Sequence, residues 1–92
     1  MMEPIQRWNQ KTKEGTWYHE FHFIGGEMVT IFDDGTWNYE DALQKDSWLM
    51  GSWFQKKNEA GKLIDVAVVH GSPKVPDAVI WALEDMKFKV ET

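Results

Sequence analysis

Apolar and polar positions alternate in short runs along most of this chain, and glycine-containing turns separate the runs. Residues 16–24 read T-W-Y-H-E-F-H-F-I, a β-prone segment rich in aromatic and β-branched side chains. Gly25-Gly26 follows, then a second run over 27–33, then Asp34-Gly35, then a third run over 36–40. Gly-Gly and Asp-Gly favour two-residue hairpin loops, because both central positions need positive φ. Such loops at 25–26 and 34–35 would pair Phe23 with Met28, Phe21 with Thr30 and Phe32 with Trp37. One sheet face would then collect Trp17, His19, Phe21, Phe23, Met28, Thr30, Phe32, Trp37 and Tyr39. The other would hold Tyr18, Glu20, His22, Ile24, Glu27, Val29, Ile31 and Asn38, which is too apolar for a fully solvated surface.

Residues 48–56 predict a fourth strand, with Gly51 a bulge or a point of close approach. Residues 63–70 predict a fifth, nearly continuous in apolar character and therefore expected to be covered on both faces. Residues 40–47 are polar and predict a turn or a short helical turn, with Asn38 as its cap. Residues 76–87 predict a helix. Pro76 and Asp77 suit its start, Lys87 and Lys89 its end, and Val79, Ile80, Leu83 and Met86 form one stripe. The expected fold is α+β: an antiparallel β-meander of about five strands packed with one C-terminal helix. Residues 1–92 are read as a single small domain, with 1–13 a loose arm.

Composition sharpens this picture. Six of the 92 residues are tryptophan. Each buried aromatic removes about 150–250 Å² from water, so a few rings can supply a small core. Trp17, Trp37 and Trp53 fall on the expected core. Trp8, Trp48 and Trp81 do not, and they leave aromatic surface to be explained. The chain has no cysteine, so no disulfide framework is available. No apolar run approaches the length of a membrane span, and residues 1–10 do not read as a signal peptide. A cytoplasmic location is the expectation.

The net charge is −5. Residues 1–26 and 56–92 are each balanced, so the deficit falls on Glu27, Asp33, Asp34, Glu40, Asp41 and Asp46 against Lys45. Duplex nucleic acid would need the reverse. Aromatic rings on a sheet also suit single-stranded nucleic acid, but that use requires a basic groove beside them. Lys56, Lys57 and Lys62 read more simply as solvated turn residues. Nucleic acid is not the expected partner.

No catalytic signature is present. The chain lacks G-x-S-x-G, P-loop and dinucleotide-binding fingerprints. His19 and His22 lie three apart in a strand, so they point to opposite faces and cannot chelate one metal. Asp33, Asp34, Glu40 and Asp41 lack the ligand spacing of a calcium loop. No cofactor is implied. The D-G-T-W of 34–37 and the G-S-W of 51–53 resemble the turn-strand spacing of small lipocalin-like or other meander barrels. That resemblance implies a small-ligand pocket between sheet and helix.

Composition and charge point instead to a non-enzymatic protein-binding module. It would be a small acidic inhibitor-like domain, by analogy with those of phages and mobile elements, that covers a basic surface on another protein. The expected contact residues are Asp33, Asp34, Glu40, Asp41, Tyr18 and Trp48. The alternatives are a small-molecule-binding meander and a homodimer formed through the second sheet face.

Overall fold

The computed structural model describes residues 3–44, 47–71 and 74–91. It shows an α+β fold of seven strands and one helix, not five strands and one helix. The strands are β1 (Pro4–Lys11), β2 (Trp17–Phe23), β3 (Glu27–Phe32), β4 (Thr36–Asp41), β5 (Trp48–Lys57), β6 (Leu63–Val69) and β7 (Phe88–Glu91). The helix α1 (Asp77–Asp85) lies between β6 and β7. Strand order in the sheet is the order in the chain, and each neighbour is antiparallel except β6 and β7, which are parallel. A parallel neighbour requires a crossover connection, and α1 supplies it. The sheet stays open, with β1 and β7 as its edges, so it is not a barrel.

The two added strands come from segments read differently in the sequence. Residues 4–11, expected as part of an arm, pair with β2 along their length. Proline begins this strand at a sheet edge, where a missing N–H costs no ladder bond. Residues 88–91 follow the helix after a tight reversal, in which Lys87 takes φ 69°. Lys89, expected at the helix end, is in β7.

Both early hairpins use three-residue loops, not two. His22 pairs with Met28 and Phe21 with Val29, so the first loop is Ile24-Gly25-Gly26. Ile31 pairs with Trp37, so the second is Asp33-Asp34-Gly35. In each, the last glycine carries the positive φ, 93° at Gly26 and 96° at Gly35. Their N–H groups close back on Phe23 O at 3.1 Å and Phe32 O at 3.4 Å. This is the longer hairpin design, in which glycine sits at the left-handed position after a turn.

The consequence is a correction to the core. Each hairpin slips one residue from the expected register. The two slips cancel between β2 and β4, so Phe21, Phe23, Trp37 and Tyr39 share a buried face as expected. Only β3 is inverted. Val29 and Ile31 join that core, while Met28, Thr30 and Phe32 turn to the opposite face. Trp17 also leaves the expected core: it lies at the end of β2, 46% exposed, with the Lys11 ammonium 5.9 Å from its ring.

The helix covers the Phe21/Trp37 face. Ala78, Val79, Ala82 and Leu83 are its buried residues, so the expected stripe is broadened by two alanines, and Ile80 is only partly buried. Trp81 is not an outlier. Its ring meets Phe21 and Phe23 edge-on, with centroids 6.2 and 6.0 Å away. Trp53 packs edge-on against Phe88 at 5.3 Å, and its Nε1–H donates to Phe32 O at 2.7 Å. Arg7 of the edge strand lies 4.7 Å from the Phe21 ring centroid and pairs with Asp85 of the helix at 2.7 Å. That contact ties β1 to α1.

Candidate functional site

Carboxylates and exposed apolar side chains are grouped at one end of the sheet. Three segments meet there: the β2–β3 turn, the end of β4 and the start of β5. Ala42 N–H donates to Gly26 O at 2.9 Å, which ties the end of β4 to the turn. Asp41 N–H donates to Ser47 O at 3.1 Å, and Leu43 N–H donates to Asp41 Oδ1 at 2.9 Å. The segment expected as a helical turn over 40–47 is therefore a strand end followed by a loop, with residues 45–46 outside the described set. Asn38 caps nothing: it lies inside β4, opposite Thr30 and Met50.

This tip opposes like charges. Glu27 and Asp41 are direct cross-strand partners, and directly opposed like charges destabilise a sheet. Glu27 Oε1 is buried and has no hydrogen-bond partner. Beside the pair, burial pushes the Tyr39 hydroxyl above its ordinary value of 10.0. The charges of Asp41 and Glu27, and a hydrogen bond to Asp41, push it the same way. Glu40 adds a third carboxylate on the other face of β4.

Apolar groups rim these acids. Ile24 is 87% exposed, Leu43 77% and Trp48 60%. Two shallow clefts open at this end of the sheet. One of about 240 Å³ has Ile5, His22, Met28, Glu27 and Asp41 among its walls. The other, of about 320 Å³, is lined by Glu40, Asp41, Ala42, Ser47 and Trp48.

The structure thus brings together three of the six expected contact residues, Glu40, Asp41 and Trp48, with Trp48 directly opposite Glu40. It places Asp33, Asp34 and Tyr18 at the other end of β4, about 20 Å away by strand rise. Asp34 is engaged in its turn: its Oδ1 accepts from Thr36 N–H at 3.1 Å and from Thr36 Oγ1–H at 2.6 Å. Tyr18 donates to Gln10 Oε1 at 3.0 Å and packs against Phe32.

No family model, curated protein or solved structure matches this chain. Its site must therefore be read from its own residues.

Sequence reasoning missed Glu27, Ile24 and Leu43. The Glu27–Asp41 opposition is visible only in the three-residue register, because the two-residue register sets Glu27 against Ala42. The histidines bear on other chemistry. His22 Nε2 is hydrogen-bonded to Glu20, and its ring stands edge-on to Trp8 at 4.5 Å. His70 Nε2 lies 3.4 Å from Ser52 Oγ in an exposed contact. Among the described residues, no three His, Asp or Glu side chains converge in a way that could hold a metal ion. No helix of the described residues is long and apolar enough to cross a membrane.

Proposed function

We propose that the chain is a protein-binding module whose tip receives a basic side chain from a partner protein. The observation that carries this reading is the Glu27–Asp41 opposition, with Glu27 Oε1 buried and unpartnered and the exposed Leu43 lying beside Asp41 over Gly26. A lysine or arginine laid on the face that Glu27 and Asp41 share would offset their opposition and give Glu27 Oε1 a partner, and a charge-assisted bond of this kind is among the stronger interface contacts. Leu43 would help exclude water around it, and Trp48, exposed beside Glu40 on the other sheet face, would add an aromatic anchor at the edge of the contact. The acidic surplus over residues 27–55 would steer a basic partner toward this end of the molecule. Nothing in this arrangement requires catalysis.

The test uses isosteric neutralisation. Glu27→Gln with Asp41→Asn removes the charge pair and keeps its shape, so the fold should be retained or slightly stabilised. Affinity capture from the native host lysate, read by mass spectrometry, should recover a basic protein with the wild-type chain and lose it with this variant. Asp33→Asn with Asp34→Asn, at the opposite end, should retain it. Equal recovery by all three chains would reject the tip.

A further inference from the structure

A second grouping of charge, opposite in sign to the tip, lies at the far end of β5. The ten residues of that strand run from Trp48 at the tip to Lys57, a span of about 30 Å by strand rise. At the far end a cleft of about 520 Å³ has Lys56, Lys57, Glu59, Ile64 and Lys89 among its walls. Lys56 and Lys57 read in the sequence as solvated turn residues. The crossover through α1 brings β7 alongside β6 and adds Lys89 to them, a third cation that no spacing in the chain announces.

An aromatic ring stands beside these cations. Phe54 and Lys56 share the side of β5 that the helix does not cover. Phe54 opposes Val66, Lys56 opposes Ile64, and Val66 in turn neighbours Lys89. Phe54 is 43% exposed, whereas Val66 is fully buried although no helix covers it. The neighbours of Val66 in the sheet, Phe54 and Lys89 among them, therefore close over it, so the ring and the lysine stem pack on the strands. Two strand spacings, about 10 Å, separate Phe54 from Lys89. Lys56 forms an ion pair with Glu91 at 3.0 Å. Both side chains are partly exposed, and such a pair contributes little, so a more highly charged anion can take the place of the carboxylate. Among the described residues, Lys57 and Lys89 form no ion pair.

We infer that this cleft binds a free nucleotide, with its phosphates between Lys56 and Lys89 and its base on the Phe54 ring. Three lysines at one opening attract a multiply charged anion, and phosphate oxygens accept charge-assisted hydrogen bonds from ammonium groups. A bare phosphate would leave most of the cleft empty and Phe54 unused. A base stacks on an aromatic ring whatever its identity. The separation of Phe54 from Lys89 is one that a base and its phosphates, joined through a sugar, can bridge. A long single strand fits less well. Crossing the same sheet face from this corner, it would meet Glu20 and Glu40, which repel phosphate. The site differs from the tip in place and in charge, so it does not depend on the reading given for the tip.

Titration of the isotope-labelled full chain with ADP, followed through its amide NMR shifts, tests this. At low salt ADP should bind with a Kd of about 100 µM. It should shift the amides of 54–66 and 88–91 and leave those of Glu27 and Asp41 in place. Adenosine, which lacks the phosphates, and pyrophosphate, which lacks the ring, should each bind at least about 10-fold more weakly. Lys56→Gln with Lys89→Gln should weaken ADP by about 10-fold or more and leave adenosine unchanged. Phe54→Leu keeps apolar cover over Val66 but removes the stacking surface. It should weaken ADP by about 10-fold and leave pyrophosphate unchanged. Glu91→Gln removes the competing carboxylate and should tighten ADP by about 3-fold, a gain that a merely structural role for the Lys56–Glu91 pair would not produce. The amide spectrum of each variant shows at once whether it is folded. A short single-stranded oligoadenylate should bind no tighter than ADP, and binding more than about 10-fold tighter would make the ligand a nucleic-acid strand and overturn the inference. No shift up to about 5 mM ADP, equal affinity for ADP and pyrophosphate, or shifts confined to the tip would overturn it as well.

Discussion

Gly51→Ala should destabilise the fold severely, and the sign of the effect is informative. In an open strand position, replacing glycine with alanine would gain about 0.5–1 kcal/mol. Here a Cβ would stand 2.1 Å from Val68 O and 2.5 Å from Trp37 Cε2 and Cζ2. Neither neighbour can yield cheaply. Val68 O belongs to the backbone of the paired strand, and Trp37 is fully buried, with its Nε1–H donating across Gly51 to that same carbonyl at 3.2 Å. If the indole shifts, a buried donor is left unpaired at about 1–3 kcal/mol. If the strands part instead, overpacking costs about 1–3 kcal/mol. The expected loss is therefore about 2–5 kcal/mol, against the roughly 5–14 kcal/mol total of a chain this size. At about 4–8 °C per kcal/mol, Tm should fall by at least about 10 °C. Thermal unfolding followed by far-UV circular dichroism measures this, and near-UV dichroism reports the Trp37 environment. Introducing Trp37→Phe frees space over position 51, so in that background Gly51→Ala should cost about 1–3 kcal/mol less. A variant as stable as the wild type, or strict additivity with Trp37→Phe, would refute the reasoning.

Two further predictions concern single positions. Lys87 ends the helix at φ 69°, a left-handed conformation that costs a side-chain-bearing residue about 1–2 kcal/mol, so Lys87→Gly should raise urea-denaturation stability by about 1 kcal/mol net of glycine's greater chain entropy. The raised Tyr39 hydroxyl means that the folded state holds its proton more tightly than the unfolded chain does. The stability it contributes is full below pH 10.0 and is lost as pH rises through the folded value. Urea midpoints measured between about pH 9 and 11.5 should fall less steeply for Tyr39→Phe than for the wild type, and parallel curves would contradict the assignment.

Alternation along the chain was enough to reveal the meander, the helix and most of the core on β2 and β4. It was not enough to choose between hairpin loops. Gly25-Gly26 and Asp34-Gly35 supply positive φ in either loop length, so local turn chemistry leaves the register open by one residue. The aromatic content of β3 then misled. Setting Phe32 and Met28 inward looked better than setting Val29 and Ile31 inward, but the smaller β-branched pair fits between the bulky Phe21 and Trp37. The edge strands were harder to see for another reason. β1 and β7 each pair on one side only, so they need little apolar patterning, and Trp8 and Val90 were weak signals on their own. Gly51 was legible as a close approach, though not as the seat of the Trp37 indole. At the site, charge identified Glu40 and Asp41. The loss of Glu27 followed directly from the register error, because cross-strand opposition is a two-strand property.

Two features of this molecule oppose its own stability. The tip sets two carboxylates against each other and buries an oxygen without a partner. The open face exposes Met50 and Phe54. Elsewhere the levels agree: turn glycines, buried aromatics, helix stripe and indole hydrogen bonds all support one packing arrangement. Local conflicts in an otherwise consistent fold mark the places where function is expected. A small chain is especially constrained in this respect, because burial efficiency falls with size and leaves little stability to spare. A second acidic tip brought alongside would add repulsion, so the relief of the tip requires a group of opposite charge.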